Sequence, residues 1–217
     1  MIPFVKGHGL GNDYIVIDGK DLPAPITPAQ ITLVCDRNWG AGSDGILLLV
    51  PAWGGADFGL RIFNPDGSEA EKSGNGLRIF AKYLHDHGHA KGLTFTVDTK
   101  GGRVECQCHV REGRMNEVTV EMGRCTFLAP EIPMNGPARE VVGVPLQVAD
   151  RSLVITAVSV GNPHCVWFTD RLDDAEIRRL GPLIENHPAF PNRTNVQFAR
   201  VASRSEVDIL IWERGAG

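Results

Sequence analysis

Gly11-Asn12-Asp13-Tyr14-Ile15-Val16-Ile17-Asp18 and Gly161-Asn162-Pro163-His164-Cys165-Val166-Trp167-Phe168-Thr169-Asp170 each open on Gly-Asn and run into an apolar strand-forming segment. Asn12 lies 33 positions before Gly45, and Asn162 lies 33 before Asn195; each endpoint opens another strand-forming run, 46–50 or 196–199. Asn12 lies 52 positions before Asn64, and Asn162 lies 51 before Glu213; each of those endpoints follows an alternating run, 60–63 or 209–212. Landmarks that keep their spacing to within one residue read as an internal duplication. The chain is therefore expected to hold two related halves, which we divide at 1–124 and 125–217, with four prolines in 130–145 marking the passage into the second.

Outward from these landmarks, strand signals dominate. Segments 14–18, 46–50, 58–63, 93–98, 103–110, 117–122, 153–160, 165–168, 196–201 and 207–212 are rich in β-branched or apolar residues and bounded by turns. Two helices are expected. One follows Asn75, with Leu77, Phe80, Ala81 and Leu84 on one face and Gly88 able to end it. The other starts near Asp173, with Ile177, Leu180 and Ile184 on one face and Pro182 working against its last turns. Many strands and few helices give an α+β class.

The approach to the first helix carries the chemistry. Asn64-Pro65-Asp66-Gly67 is turn-forming, and Ser73-Gly74-Asn75-Gly76 is poor in regular structure but suited to presenting backbone N–H groups. A helix N-terminus has orphan donors and a positive dipole end, which suit a carboxylate or phosphate. Ser73 also fits a plain helix N-cap. If the halves face each other, Asn12, Asn64, Asn162, Asn195, Glu213 and Arg214 converge from two walls on a small zwitterion such as an amino acid. Amides supply donors and an acceptor, and Arg a fork for a carboxylate. Equivalent groups on opposite faces of one ligand are what inversion of a stereocentre requires.

Composition removes several classes. A net charge of −4 with scattered charges, and a pI near 6.0, argue against nucleic acid as a partner. No apolar run has the length of a membrane-spanning helix, and residues 1–6 lack the layout of a secretion signal, so a cytoplasmic protein is expected. Cys35, Cys106, Cys108, Cys125 and Cys165 are five in number, which does not suit a disulfide framework. Cys106 and Cys108 share a strand face but lack a second ligand pair, and His85, Asp86, His87 and His89 sit at a helix end where solvated histidines are common. No metal is expected.

Taken together, residues 4–14, Arg37 with 40–45, 63–71, 74–76, 161–164, 193–195 and 213–217 resemble the diaminopimelate epimerase family, the racemases of lysine and cell-wall precursor synthesis that work without a cofactor. The resemblance covers essentially the whole chain. It implies two pseudo-symmetric β-barrel-like domains, each around a central helix, a homodimer, and no metal or organic cofactor. It implies substrate contacts from Asn12, Asn64, Gly74, Asn75, Asn162, Asn195, Glu213 and Arg214, with His164 and Glu213 tuning the catalytic pair. Gly45 stands where some members have a substrate-contacting glutamine.

Family chemistry uses a thiolate and a thiol on opposite sides of the substrate α-carbon. This sequence departs from that pattern twice. Ser73 occupies the first cysteine position, and the counterpart nine residues beyond Glu213, near position 222, lies past Gly217. The expectation is a second half that stops short of its central helix, with apolar strand faces at 153–160 and 207–212 uncovered. The functional expectation is a homologue of the enzyme that interconverts LL- and meso-diaminopimelate, itself inactive or impaired. The alternatives are a same-fold isomerase or dehydratase using one thiol, and a non-enzymatic amino-acid-binding protein.

Overall fold

The structure, a computed structural model, describes residues 2–215; Met1 and the Ala216-Gly217 end of the 213–217 segment lie outside them. It separates into two compact units, Met1–Gly123 and Arg124–Gly217.

The first unit is built on one sheet. Its strands are β1 (Val5–Gly9), β2 (Asn12–Asp18), β3 (Ile46–Val50), β4 (Phe58–Phe63), β5 (Glu69–Ala70), β6 (Thr94–Thr99), β7 (Gly102–Arg111) and β8 (Arg114–Glu121). They follow the order β1-β2-β3-β4-β6-β7-β8, with β5 paired to β4. Helix α2 (Gly74–Asp86) packs on β8 and β7 from one end of that path and on β1 and β2 from the other. A sheet whose two ends touch the same helix must curl around it. Leu77, Phe80, Ala81 and Leu84, spaced to share one helix face, are all 0% exposed inside the curl. Each large side chain so buried contributes about 1.5–3 kcal/mol relative to exposure. Gly88, at φ +72°, follows the end of the helix, as its spacing suggested.

Strands β2 and β3 are buried on both faces. Tyr14, Val16, Leu47 and Leu49 point to α2, while Ile15, Ile17, Ile46 and Leu48 point to a second cluster with Ile31 and Cys35 of α1 (Pro28–Cys35). Helix α1 was not among the expected elements. It has only eight residues, and Ile31, Val34 and Cys35 make a single i, i+3, i+4 set, too short for periodicity to mark a helix. The signal lies in its cap: Thr27 accepts from Gln30 N, Gln30 Oε1 accepts from Thr27 N, and Pro28 opens the first turn.

The second unit has a five-stranded sheet in the order β13-β12-β11-β10-β9. The strands are β9 (Val144–Val148), β10 (Arg151–Ser159), β11 (Pro163–Phe168), β12 (Asn195–Ser203) and β13 (Glu206–Trp212). Helix α3 (Asp174–Glu185) packs on β9, β12 and β13. Asp173 caps it by accepting from Ala175 and Glu176, and Ile177, Leu180 and Ile184 are buried as the pattern predicts. Pro182 does not cut it short. The last turn is held by burial of Ile184 and Glu185, and by Asn186, whose backbone and side-chain N–H groups both reach Pro182 O. Gly181 lets Trp212 lie against the helix: an added Cβ would come within 2.6 Å of the indole.

Pairing registers show the duplication directly. Strands β2 and β3 are parallel with Ile15 opposite Ile46, and β11 and β12 are parallel with Cys165 opposite Val196. Strands β3 and β4 are antiparallel with Ile46 opposite Phe63, and β12 and β13 are antiparallel with Val196 opposite Trp212. Helix α1 connects β2 to β3, and α3 connects β11 to β12. Carrying the register across, Leu60 and Ile62 correspond to Ile209 and Ile211. The first pair, under α2, is 0% and 1% exposed; the second is 50% and 46% exposed. Val154, Phe168, Val201 and Val207 are exposed as well. Among the described residues no element covers this face of the second sheet, as expected for 153–160 and 207–212.

Candidate active site

In the first unit the site residues are gathered by the turn after β4 and the start of α2. Asn64 O accepts from Gly67 N at 3.0 Å, Asn64 N donates to Ser68 O, and Asn64 Nδ2 donates to Ser68 Oγ at 3.0 Å. Gly67, at φ +84°, sits against Pro28 of α1, where a Cβ would come within 2.8 Å of a proline carbon. The turn therefore holds Asn64, only 9% exposed, in one orientation.

Ser73 is the N-cap of α2. It is extended (φ −142°, ψ 116°), and its Oγ accepts from Gly76 N at 3.1 Å. The Tyr14 hydroxyl, from β2, lies 3.2 Å from the same Oγ. Gly76 admits Leu47, which would stand 3.0 Å from an added Cβ, whereas at Gly74 an added Cβ would meet only Arg78 Nη1, at 3.9 Å. The first turn is therefore tightly packed below and open at Gly74.

Asn75 and Asn12 are wired together. Asn75 Nδ2 donates to Asn12 Oδ1 at 3.3 Å, and Arg78 donates to Asn75 Oδ1. Asn12 Nδ2 donates to Asp44 Oδ2 at 3.2 Å, and Asp44 also receives Asp13 N and Arg37 Nη2. The amide of Asn12 thus has its donor end assigned by the Asp44 carboxylate and its acceptor end by the Asn75 amide. Burial pushes the Asp13 carboxyl up, but Arg37 and Lys6, at 2.7 and 3.0 Å, outweigh it and hold it well below the usual range. Gly45 has no room for a side chain. A Cβ there would come within 2.4 Å of Phe63 O and 2.7 Å of the Tyr14 ring.

In the second unit the residues gather where β11 and β12 begin and β13 ends. Asn195 Nδ2 donates to Pro163 O at 3.0 Å and its Oδ1 accepts from Arg214 N at 3.0 Å. Both ends of this amide are engaged with backbone, so Asn195 ties the start of β11 to the turn after β13. Arg214 is buried and its Nη1 donates to Asn192 O at 3.1 Å; Glu213, beside it, is exposed. Beneath the turn lies Glu185 of α3, only 6% exposed, which receives Arg193 Nη1 at 3.1 Å, Trp212 Nε1 at 2.8 Å and Gly215 N at 3.0 Å. His164 Nδ1 lies 3.0 Å from Gln197 Nε2, and burial, with Arg214 adding to it, lowers the imidazole pKa.

The repeat makes one contrast sharp. Asn12 Oδ1 is met by Asn75, whereas Oδ1 of its counterpart Asn162 is buried with no hydrogen-bond partner among the described residues. Buried acceptors of this kind are uncommon and mark a place where a donor is wanted.

Among the cysteines, Cys165 faces the core under α3, opposite to His164, with its thiol pushed up to about 12 by burial. Cys106 is likewise pushed up to about 12, and Cys108 beside it is raised, both by burial inside the curl of β7. None of these three is an accessible low-pKa nucleophile of the kind acid–base work demands. A groove of about 640 Å³ lies between β1, the outer face of α2 and β8, but Ser73, Asn64 and Asn12 do not line it. Asp44, Tyr14, Glu185 and Gln197 are the site residues that the sequence reading did not single out. Glu185 was discoverable, since it continues the 177–181 side of α3 and so puts a carboxylate on a core-facing position.

The family model for diaminopimelate epimerase matches residues 4–128 and 156–217. Diaminopimelate epimerase 2 of Nostoc sp. is 50% identical over 214 residues, covering 99% of this chain and 74% of the relative. The diaminopimelate epimerase of Pelotomaculum thermopropionicum is 48% identical, covering 99% of this chain and 77% of the relative. Among solved structures, a probable proline racemase from Agrobacterium radiobacter aligns at a TM-score of 0.74 with 18% identity, over 97% of this chain and 70% of its own. A hydroxyproline epimerase from Agrobacterium vitis aligns at 0.67, also with 18% identity, over 96% and 69%. At that identity the structures bear on the fold alone.

Proposed function

The chain belongs to the diaminopimelate epimerase family of amino-acid isomerases, and from that premise we propose that it binds diaminopimelate but transfers its α-proton poorly. The reaction in question is cofactor-independent interconversion of the LL and meso forms, in the making of lysine and peptidoglycan precursors. Asn12, Asn64, Gly74 and Asn75 on the first unit, and Asn162, Asn195, Glu213 and Arg214 on the second, are the proposed substrate contacts. Cytoplasmic location and homodimeric assembly belong to the same proposal and rest on the family.

The observation that carries the impairment is the bonding of Ser73. Its Oγ accepts a backbone N–H from Gly76 and lies against the Tyr14 phenol. Neither partner withdraws a proton from it near neutral pH. A thiol in that place, with an ordinary pKa of about 8.5 lowered by the helix N-terminus, ionises readily; an alcohol does not. A base for carbon acids must be poised near the working pH. None of the five cysteines stands at the family's first cysteine position, which Ser73 occupies.

The test pairs titration calorimetry with a turnover assay. The purified chain is expected to release heat on titration with meso-diaminopimelate and to leave the LL form unconverted. Turnover at rates typical of enzymes, about 1–10³ per second, overturns the impairment. Absence of binding overturns the retained substrate site.

A further inference from the structure

Carrying the repeat register across the sheet, Gln197 occupies the place of Leu47, and His164 the place of Tyr14. Leu47 is wholly buried in the core under α2. The second half thus has a polar amide where the first has a hydrocarbon, and that amide is set against the imidazole. Val196 and Phe198, the chain neighbours of Gln197, are 0% exposed beneath α3, so Gln197 and His164 both lie on the opposite face. Parallel pairing sets His164 opposite Asn195 and Val166 opposite Gln197, which brings Gln197 onto His164 diagonally. The two side chains meet at 3.0 Å, Nε2 to Nδ1.

The amide can be written two ways round. With Nε2 donating to the ring, Gln197 Oε1 is left buried and unpartnered among the described residues. With the amide turned over, the buried NH₂ is left in that place. Orphaned buried N–H groups are rarer than under-satisfied carbonyls, so the first arrangement is favoured. His164 then accepts at Nδ1. Its in-register strand neighbours, Val158 on β10 and Asn195 on β12, carry no charge, and Arg214 is the charged group that acts on it. A cation there disfavours a second proton on the ring.

We propose that Gln197 is a positioning residue that fixes neutral His164 with its proton on Nε2, so that His164 serves the site as a hydrogen-bond donor and not as a base through that nitrogen. This rests on the reading that His164 belongs to the substrate site, but its test needs no turnover. In the chain labelled with ¹⁵N-histidine, long-range proton–nitrogen correlation spectra report which ring nitrogen of His164 carries the proton. The expected result near pH 7 is protonation at Nε2 alone. Gln197→Glu places an acceptor against Nδ1, and is expected to move the proton there and raise the His164 titration midpoint by about 1–3 pH units. Gln197→Met, which keeps the bulk, is expected to give a mixture of both tautomers. A proton on Nδ1 in the unsubstituted chain overturns the proposal, with no variant required. An unchanged tautomer in Gln197→Met overturns it as well, because a purely structural role for Gln197 leaves the tautomer alone.

Discussion

Replacing Glu185 with alanine should cripple the second unit. Glu185 is 6% exposed and gathers three donors, Arg193 Nη1, Trp212 Nε1 and Gly215 N, at 3.1, 2.8 and 3.0 Å. Alanine removes all three contacts and opens a hole beneath α3. Breaking a buried ion pair by deleting one partner costs about 3–5 kcal/mol. Against a typical total of about 5–15 kcal/mol, that is a large share. With a urea slope of about 1–3 kcal/mol per molar, the midpoint should fall by about 2 M. Glu185→Gln keeps shape and one acceptor but loses charge, and charge-assisted bonds are about twice as strong as neutral ones, so it should cost about half as much. Urea titration followed by tryptophan emission is the assay, because the Trp212 indole bonds to Glu185 itself. The turn carrying Glu213 and Arg214 loosens with it, so diaminopimelate binding should weaken in Glu185→Gln even where the unit stays folded. A midpoint for Glu185→Ala within about 0.3 M of the parent, a shift of only about 0.3–0.9 kcal/mol, would show that the buried carboxylate does not organise this turn.

Other outcomes follow from the same geometry. Ser73→Ala removes the α2 cap and should cost about 1 kcal/mol in denaturant titration, with a cost near zero contradicting the capping role. Ser73→Cys restores a thiol at the helix N-terminus and should raise exchange of the α-proton of one diaminopimelate stereoisomer by at least about tenfold, equivalent to about 1.4 kcal/mol off the barrier; unchanged exchange would mean that Ser73 is not what limits proton removal. Gly45→Gln should destabilise the first unit by more than about 1 kcal/mol, since Phe63 O and the Tyr14 ring fill the space, and a neutral thermal shift would refute that. Burial pushes the Asp98 carboxyl up, but the backbone N–H groups of Gly54, Ala56 and Trp53 and the Arg103 charge together hold it below its ordinary value. A depressed folded-state value stabilises above the unfolded value of about 3.9 and is lost as pH falls through the folded one. The first unit should therefore lose stability below about pH 4, less steeply in Asp98→Asn, and an equal slope in the two proteins would exclude Asp98 as a source.

The parts of this fold that follow from spacing were legible in the sequence. Leu77, Phe80, Ala81 and Leu84 specify one face of α2 whatever surrounds them, and the Asn12 and Asn162 landmarks hold their separations because each half repeats strand, helix, strand, strand. Helix α1 escaped because eight residues give only one helical repeat, Ile31 with Cys35, so its Thr27–Gln30 cap is the clearer signal. Pro182 misled because local propensity yields to packing: Trp212 against Gly181, and Glu185 beneath the turn, hold the helix through it. Site partners such as Asp44 and Gln197 were invisible for another reason. Their importance lies in what they touch, Asn12 and His164, and those contacts exist only once β2 lies beside β3 and β11 beside β12.

The central claim is that this family member carries a helix-capping hydroxyl where α-proton transfer demands a thiol. Proton NMR of meso-diaminopimelate incubated with the purified chain in heavy water tests it directly. The two α-protons of the meso form are equivalent by symmetry and give one signal, and the account predicts that its area falls no faster than in an enzyme-free control. Progressive loss of that signal, in proportion to the amount of chain added, would contradict it.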